Sequence, residues 1–239
     1  MSANQLVEVK TSPNLEVNLD LKPYLNLALA QNGIPWLNLE INNRSPLSLA
    51  KLQVKIQATP GFAHPYEETM GPFKAGERLF QENLELPLDF EYLANLRDVQ
   101  PAALRVESTL PSHPSEVRNY SLTLYPPDQW LGLNFLPELL VSYVTPQLQL
   151  ITQTLSLVAE ELRRTTGSPS IEGYQKGKER AYAICQAAYR TLHSWGIRYT
   201  EPLHSWSDPG QRVRLIPDLY KNRQGTCLDT TLLLASLLE

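Results

Sequence analysis

Cys227 is the residue best placed to do chemistry in this chain. It stands in Arg223-Gln224-Gly225-Thr226-Cys227-Leu228-Asp229-Thr230-Thr231-Leu232-Leu233-Leu234. Thr226 is a good helix N-cap, and Asp229, three residues on, supplies a carboxylate version of the capping box. Cys227 is therefore expected in the first turn of a helix. Unpaired amides and the positive end of the helix dipole favour thiolate over thiol there, and thiolate is the nucleophile. Gly225, just before the cap, is expected to leave room for backbone or substrate to approach the sulfur. The competing reading makes Cys227 a small buried residue at the start of a core helix, and the local pattern taken alone favours it.

A thiol nucleophile needs a base within hydrogen-bond reach and a group that orients that base. The four histidines, His64, His113, His193 and His204, all precede Cys227, and twelve residues follow it. His204 is nearest in sequence and reads as a loop residue; His193 reads as a helix-surface or boundary side chain. Arg198, Arg212, Arg214, Lys221 and Arg223 make the segment before the cysteine locally basic. They suit an anion or a substrate carboxylate, although a solvated loop whose arginines pair with Asp208 and Asp218 explains them more simply. No HxxxH or paired CxxC spacing serves a metal, so no metal site and no cofactor is expected. The phosphate loop GxxxxGK[ST] is also missing, which places any ATP-dependent motor beyond residue 239.

The longer stretch sharpens the reading. Gly225-Thr226-Cys227-Leu228-Asp229, followed by an apolar Leu-rich helix, resembles the nucleophile segment of the transglutaminase-like superfamily, where Gly-x-Cys-x-Asp opens a helix carrying the catalytic cysteine. Three further stretches extend the resemblance: Gly196-Ile197-Arg198-Tyr199, the region from Pro202 through Gln211-Arg212-Val213-Arg214, and Pro217-Asp218-Leu219. Together they are similar to a large multidomain bacterial family in which an amino-terminal β domain and a transglutaminase-like domain precede a superfamily-one DNA helicase region. The resemblance implies Cys227 as nucleophile, with Gly225, Thr226 and Asp229 shaping the turn around it. It implies attack on an amide carbonyl to give a thioester that water or an amine resolves, as a protease, deamidase or transferase would.

In that superfamily the catalytic histidine and its acidic partner follow the cysteine helix. The implied module is thus truncated here and inactive alone, with the downstream domains of the same chain as partners and helicase activity residing in them. The rival expectation is a non-catalytic docking platform that contacts protein partners of the same helicase-related protein.

The elements that must position Cys227 follow from periodicity. Up to Pro126 apolar residues alternate, at Leu25, Leu27 and Leu29; Leu37, Leu39 and Ile41; Leu52, Val54 and Ile56; Leu84, Leu86 and Leu88; Leu104 and Val106; and Tyr120, Leu122 and Leu124. Gly- and Pro-bearing stretches separate these candidate strands, which predicts an immunoglobulin-like antiparallel β-sandwich over 1–126. From 127 to 239 the period lengthens. One stripe runs from Leu148 through Leu162 to a stop at Gly167, and a second from Tyr174 through Trp195 to Gly196. A third helix begins at Thr226 and reaches Glu239 without a stop signal, the mark of an amino-terminal fragment. The predicted class is α+β: a sandwich, then an all-helical partial transglutaminase-like domain.

Composition sets the outer bounds. The chain has 239 residues, 42% hydrophobic and 19% charged, with 21 basic and 25 acidic side chains and a net charge of −4. There is no basic field for a phosphate backbone, so no direct nucleic-acid contact is expected of this part. Two cysteines are too few for a disulfide framework, and no leader or membrane-length apolar run is present, so the cytoplasm is the expected compartment.

Overall fold

The computed structural model describes residues 14–202 and 210–239. It is a mixed α+β structure that divides into two compact units, residues 1–127 and 128–239.

The first unit holds β1 (Leu15–Leu21), β2 (Tyr24–Leu25), α1 (Leu27–Gln31), β3 (Leu37–Asn43), β4 (Leu52–Thr59), β5 (Tyr66–Met70), β6 (Arg78–Gln81), α2 (Phe90–Asn95), β7 (Gln100–Thr109) and β8 (Glu116–Leu124). They form a three-stranded sheet ordered β1-β3-β6 and a five-stranded sheet ordered β2-β8-β7-β4-β5. All pairings are antiparallel except the short parallel one of β2 with β8. Alternation does what a period of two requires: Leu37, Leu39 and Ile41, and Leu52, Val54 and Ile56, are buried, while Asn38, Glu40 and Asn42 are half-buried.

Two of the expected strands are different. Leu25, Leu27 and Leu29 alternate in sequence, yet only Tyr24–Leu25 is strand; Asn26 Oδ1 accepts the Leu29 N–H (2.9 Å) and starts a helical turn there. A buried side-chain cap outweighs the alternation of a short run. Leu84 to Leu88 forms no strand and joins a ladder only through a single bridge from Leu88 to Ala63. Conversely β1, β5 and β6 were not among the expected strands. β5 and β6 lie at sheet edges with mostly exposed residues, so no buried face imprints a period on them.

The second unit holds β9 (Gln129–Trp130), α3 (Gln149–Thr166), α4 (Lys178–Ser194), β10 (Arg198–Tyr199), β11 (Gln211–Arg212), α5 (Ile216–Asn222), β12 (Gln224–Gly225) and α6 (Cys227–Leu238). A 3-10 helix spans Pro137–Tyr143 and a shorter one Tyr174–Lys176. α3 stops at Gly167, whose φ of 79° is left-handed and whose N–H returns to Arg163 O. The unit is helical but not all-helical: β9 pairs antiparallel with β11, and β10 parallel with β12. These two-residue pairings satisfy backbone groups of the segments that bracket α5 and α6, and they are too short to leave a periodic trace in sequence.

α6 organises this unit. Leu228 and Leu232 join Trp130, Tyr143 and Val213; Leu233 and Leu237 join Ile151, Ile216 and Leu219; Leu234 packs against Val158, Leu162, Ala187 and Ala188. A helix apolar on nearly all sides must be covered on nearly all sides, and that fixes its first turn.

Candidate functional site

Cys227 is the first residue of α6 and is exposed. It is not the small buried residue of the competing sequence reading. Thr226 is the N-cap, in extended conformation, and the capping box closes in both directions. The Asp229 N–H donates to Thr226 Oγ1 (3.1 Å), and the Thr226 N–H donates to Asp229 Oδ2 (2.8 Å). Helix geometry leaves the amides of Cys227 and Leu228 without an intrahelical acceptor, and the exposed sulfur stands beside them at the helix start.

Asp229 is 1% exposed. Besides the Thr226 amide it accepts the Arg214 N–H at Oδ1 (2.9 Å) and the Arg214 guanidinium at Oδ2 (3.2 Å). Three hydrogen bonds to one buried carboxylate, two of them from Arg214, tie the α6 start to the segment after β11. Gln211, fully buried, adds a donor from Nε2 to Thr226 Oγ1 (3.2 Å). Asp229 is thus committed to holding the turn.

Gly225 does something other than the sequence suggested. It is buried, and a Cβ there would lie 3.0 Å from Leu219 Cδ1 and 3.5 Å from Asp229 Cβ. The space beside it is taken by α5 and by Asp229, so the glycine serves close packing rather than access to the sulfur.

The basic segment is resolved residue by residue. Arg212 pairs with Asp128 (2.7 Å) and Arg214 with Asp229, and among the described residues neither arginine pairs with the expected Asp218. Asp208 lies outside the described residues. Beside the Arg212 pair, burial and then the Asp128 carboxylate push the Tyr143 phenol well above its ordinary range. Arg223 lays its guanidinium over the Tyr220 ring (4.0 Å) and the Trp195 ring (5.5 Å). Arg198 and Lys221 are exposed.

His204 also lies outside the described residues. His193 is exposed and lines a groove of about 430 Å³ between α4 and α6, together with Tyr189, Leu192, Gly196, Thr230 and Thr231. Thr230 and Thr231 follow Cys227 by three and four residues, on the same helical stripe, and both hydroxyls donate to the Cys227 carbonyl (3.1 and 2.7 Å). No local pattern signals this juxtaposition, because it depends on how α4 and α6 cross.

Among the described residues no group of three or more His, Cys, Asp and Glu side chains could hold a metal ion. No helix among them is long and apolar enough to cross a membrane. In comparisons with known proteins, no family model matches this chain and no curated protein matches it.

Proposed function

We propose that the second unit is the helical front part of a transglutaminase-like domain, with Cys227 as its acyl-transfer nucleophile. On this reading the first unit is an immunoglobulin-like sandwich, and the chain is the amino-terminal part of a cytoplasmic bacterial helicase-related protein. The sulfur attacks an amide carbonyl, the carbonyl oxygen turns toward the amides of the helix start, and a thioester forms as the amine leaves. Proton transfer falls to downstream domains. The observation that carries the reading is an exposed thiol on the first residue of a helix whose cap is closed reciprocally by Thr226 and Asp229.

A second reading has one observation in its favour. Asp229, the only carboxylate in the Gly-x-Cys-x-Asp segment, is occupied by Thr226 and Arg214, so this segment brings no acid or base of its own. On that reading both units form a docking platform without catalysis. Alkylation of the intact protein with iodoacetamide, followed by peptide mass spectrometry, separates the two. Cys227 is expected to react about fivefold faster than exposed Cys185 at neutral pH, the equivalent of about 1 kcal/mol from the helix start. Equal or slower reaction removes the nucleophile and leaves the platform.

A further inference from the structure

We propose that Asn32-Gly33 is a self-modification site, where the Gly33 backbone nitrogen attacks the Asn32 side-chain amide, and that the last turn of α1 holds this reaction back. It is the single Asn-Gly pair in the sequence. Both residues are exposed, and glycine puts no side chain in the way of the attacking nitrogen. Gly33 is left-handed, with φ of 62°, as the residue after a helix end commonly is. The labile pair is thus part of how α1 stops.

The Gly33 N–H gives its proton to hydroxide, and the nitrogen bonds to Asn32 Cγ. The Cγ–Nδ2 bond breaks, and the nitrogen departs as ammonia with a proton drawn from water. Water then opens the resulting succinimide at either carbonyl. One opening leaves aspartate, and the other leaves isoaspartate, with the main chain rerouted through the side-chain carboxyl.

The end of α1 opposes ring closure in three ways. The nucleophile is engaged, because the Gly33 N–H donates to Ala30 O (3.2 Å). The leaving group is engaged too: Asn32 Nδ2 donates to Ala28 O (2.7 Å), which also accepts the Asn32 N–H (3.1 Å). Asn32 has a ψ of 3°, so the Gly33 nitrogen eclipses the Asn32 nitrogen, whereas in the five-membered ring it must eclipse Cβ. Closure therefore waits for the turn to open. The buried Asn26 cap and fully buried Leu29 keep it shut, but a helix of five residues opens locally at modest cost. The product carries a carboxylate, which accepts only, where the amide donated to Ala28 O, so conversion loosens the turn and does not reverse.

Incubating the whole chain at mildly alkaline pH, with peptide mass spectrometry over time, tests this. In urea Asn32 is expected to convert ahead of Asn119, which is exposed but followed by Tyr120. In the native protein its rate should be about tenfold lower than in urea, since reaction awaits local opening. Ala30→Gly should raise the native rate about fourfold through its poorer helix propensity and leave the urea rate unchanged. Gln31→Ala, at an exposed position, should lower the native rate about twofold, a readout that stands even if the Ala30 variant folds poorly. Equal rates in native protein and urea, or a native rate indifferent to both substitutions, overturn the restraint by α1. Conversion of Asn119 before Asn32 in urea overturns the site.

Discussion

The α6 start and the α3–α4 surface each gather arginine around a carboxylate, and they differ in what water can reach. Asp229 is 0% exposed in its side chain and Arg214 17%, whereas Glu161 is 18%, Arg164 69% and Arg190 52% exposed. Around Asp229 the charge is desolvated and every oxygen is committed, so losing one partner strands another in a dry place. Around Glu161 both arginines are wet, Arg164 holding the carboxylate with two hydrogen bonds (2.8 and 2.7 Å) and Arg190 reaching it at 3.5 Å. The two cysteines follow the same division. Both are exposed, but Cys227 rides on the buried network at a helix start, and Cys185 sits mid-way along α4, whose first residues have no side-chain cap. The contrast teaches that exposure alone does not make a thiol a candidate nucleophile; a rigid, amide-bearing support does.

Replacing Asp229 should break the comparison most. Asp229→Ala is expected to cost about 3 kcal/mol in denaturant unfolding, since it leaves the Arg214 guanidinium without its buried partner. The alkylation rate of Cys227 should then fall to that of Cys185, with Cys185 itself unchanged.

Thr226→Ala is the milder cut. It removes the acceptor of the Asp229 N–H and should cost about 1 kcal/mol, read by the same unfolding curves. Cys227 should keep part of its lead over Cys185, because Asp229 still grips the Thr226 amide and Arg214. A loss as large as that of Asp229→Ala would show that the cap, not the buried ion pair, holds the turn.

The smallest effect is expected at Glu161. Its hydrogen bond to Arg164, and then the attraction of Arg164 and Arg190, hold its carboxyl below the usual range. A depressed folded-state value stabilises the protein above the unfolded value, and that contribution disappears as pH falls through the folded one. Glu161→Gln should therefore lower Tm slightly at neutral pH, and the difference from wild type should vanish in acid and shrink with salt. A pH-independent or salt-independent difference would break the distinction between a wet and a dry network.

Local chemistry was legible in the sequence where it is decided within one turn. The start of α6 at Cys227, with Thr226 and Asp229 closing on each other, needs only residues three apart. The left-handed stops at Gly167 and Gly196 are equally local, with φ of 79° and 63°. Alternation revealed β3, β4 and β8 because one face of each is buried. It misread Leu25 to Leu29, where the Asn26 cap wins, and it passed over β5 and β6, whose exposed residues carry no pattern.

What the sequence by itself determined is the identity of the candidate thiol, its place at a helix start, and the change from alternating to helical periodicity near Pro126. These depend on short-range sterics and hydrogen bonds that any chain bearing those residues would feel. Only the tertiary structure decided that Arg212 meets Asp128 across 84 residues, that Arg214 is the buried counter-charge of Asp229, and that His193 shares a groove with the turn after Cys227. Ion pairs and clefts of this kind are set by which surfaces pack together, and packing joins residues whose separation along the chain carries no signal.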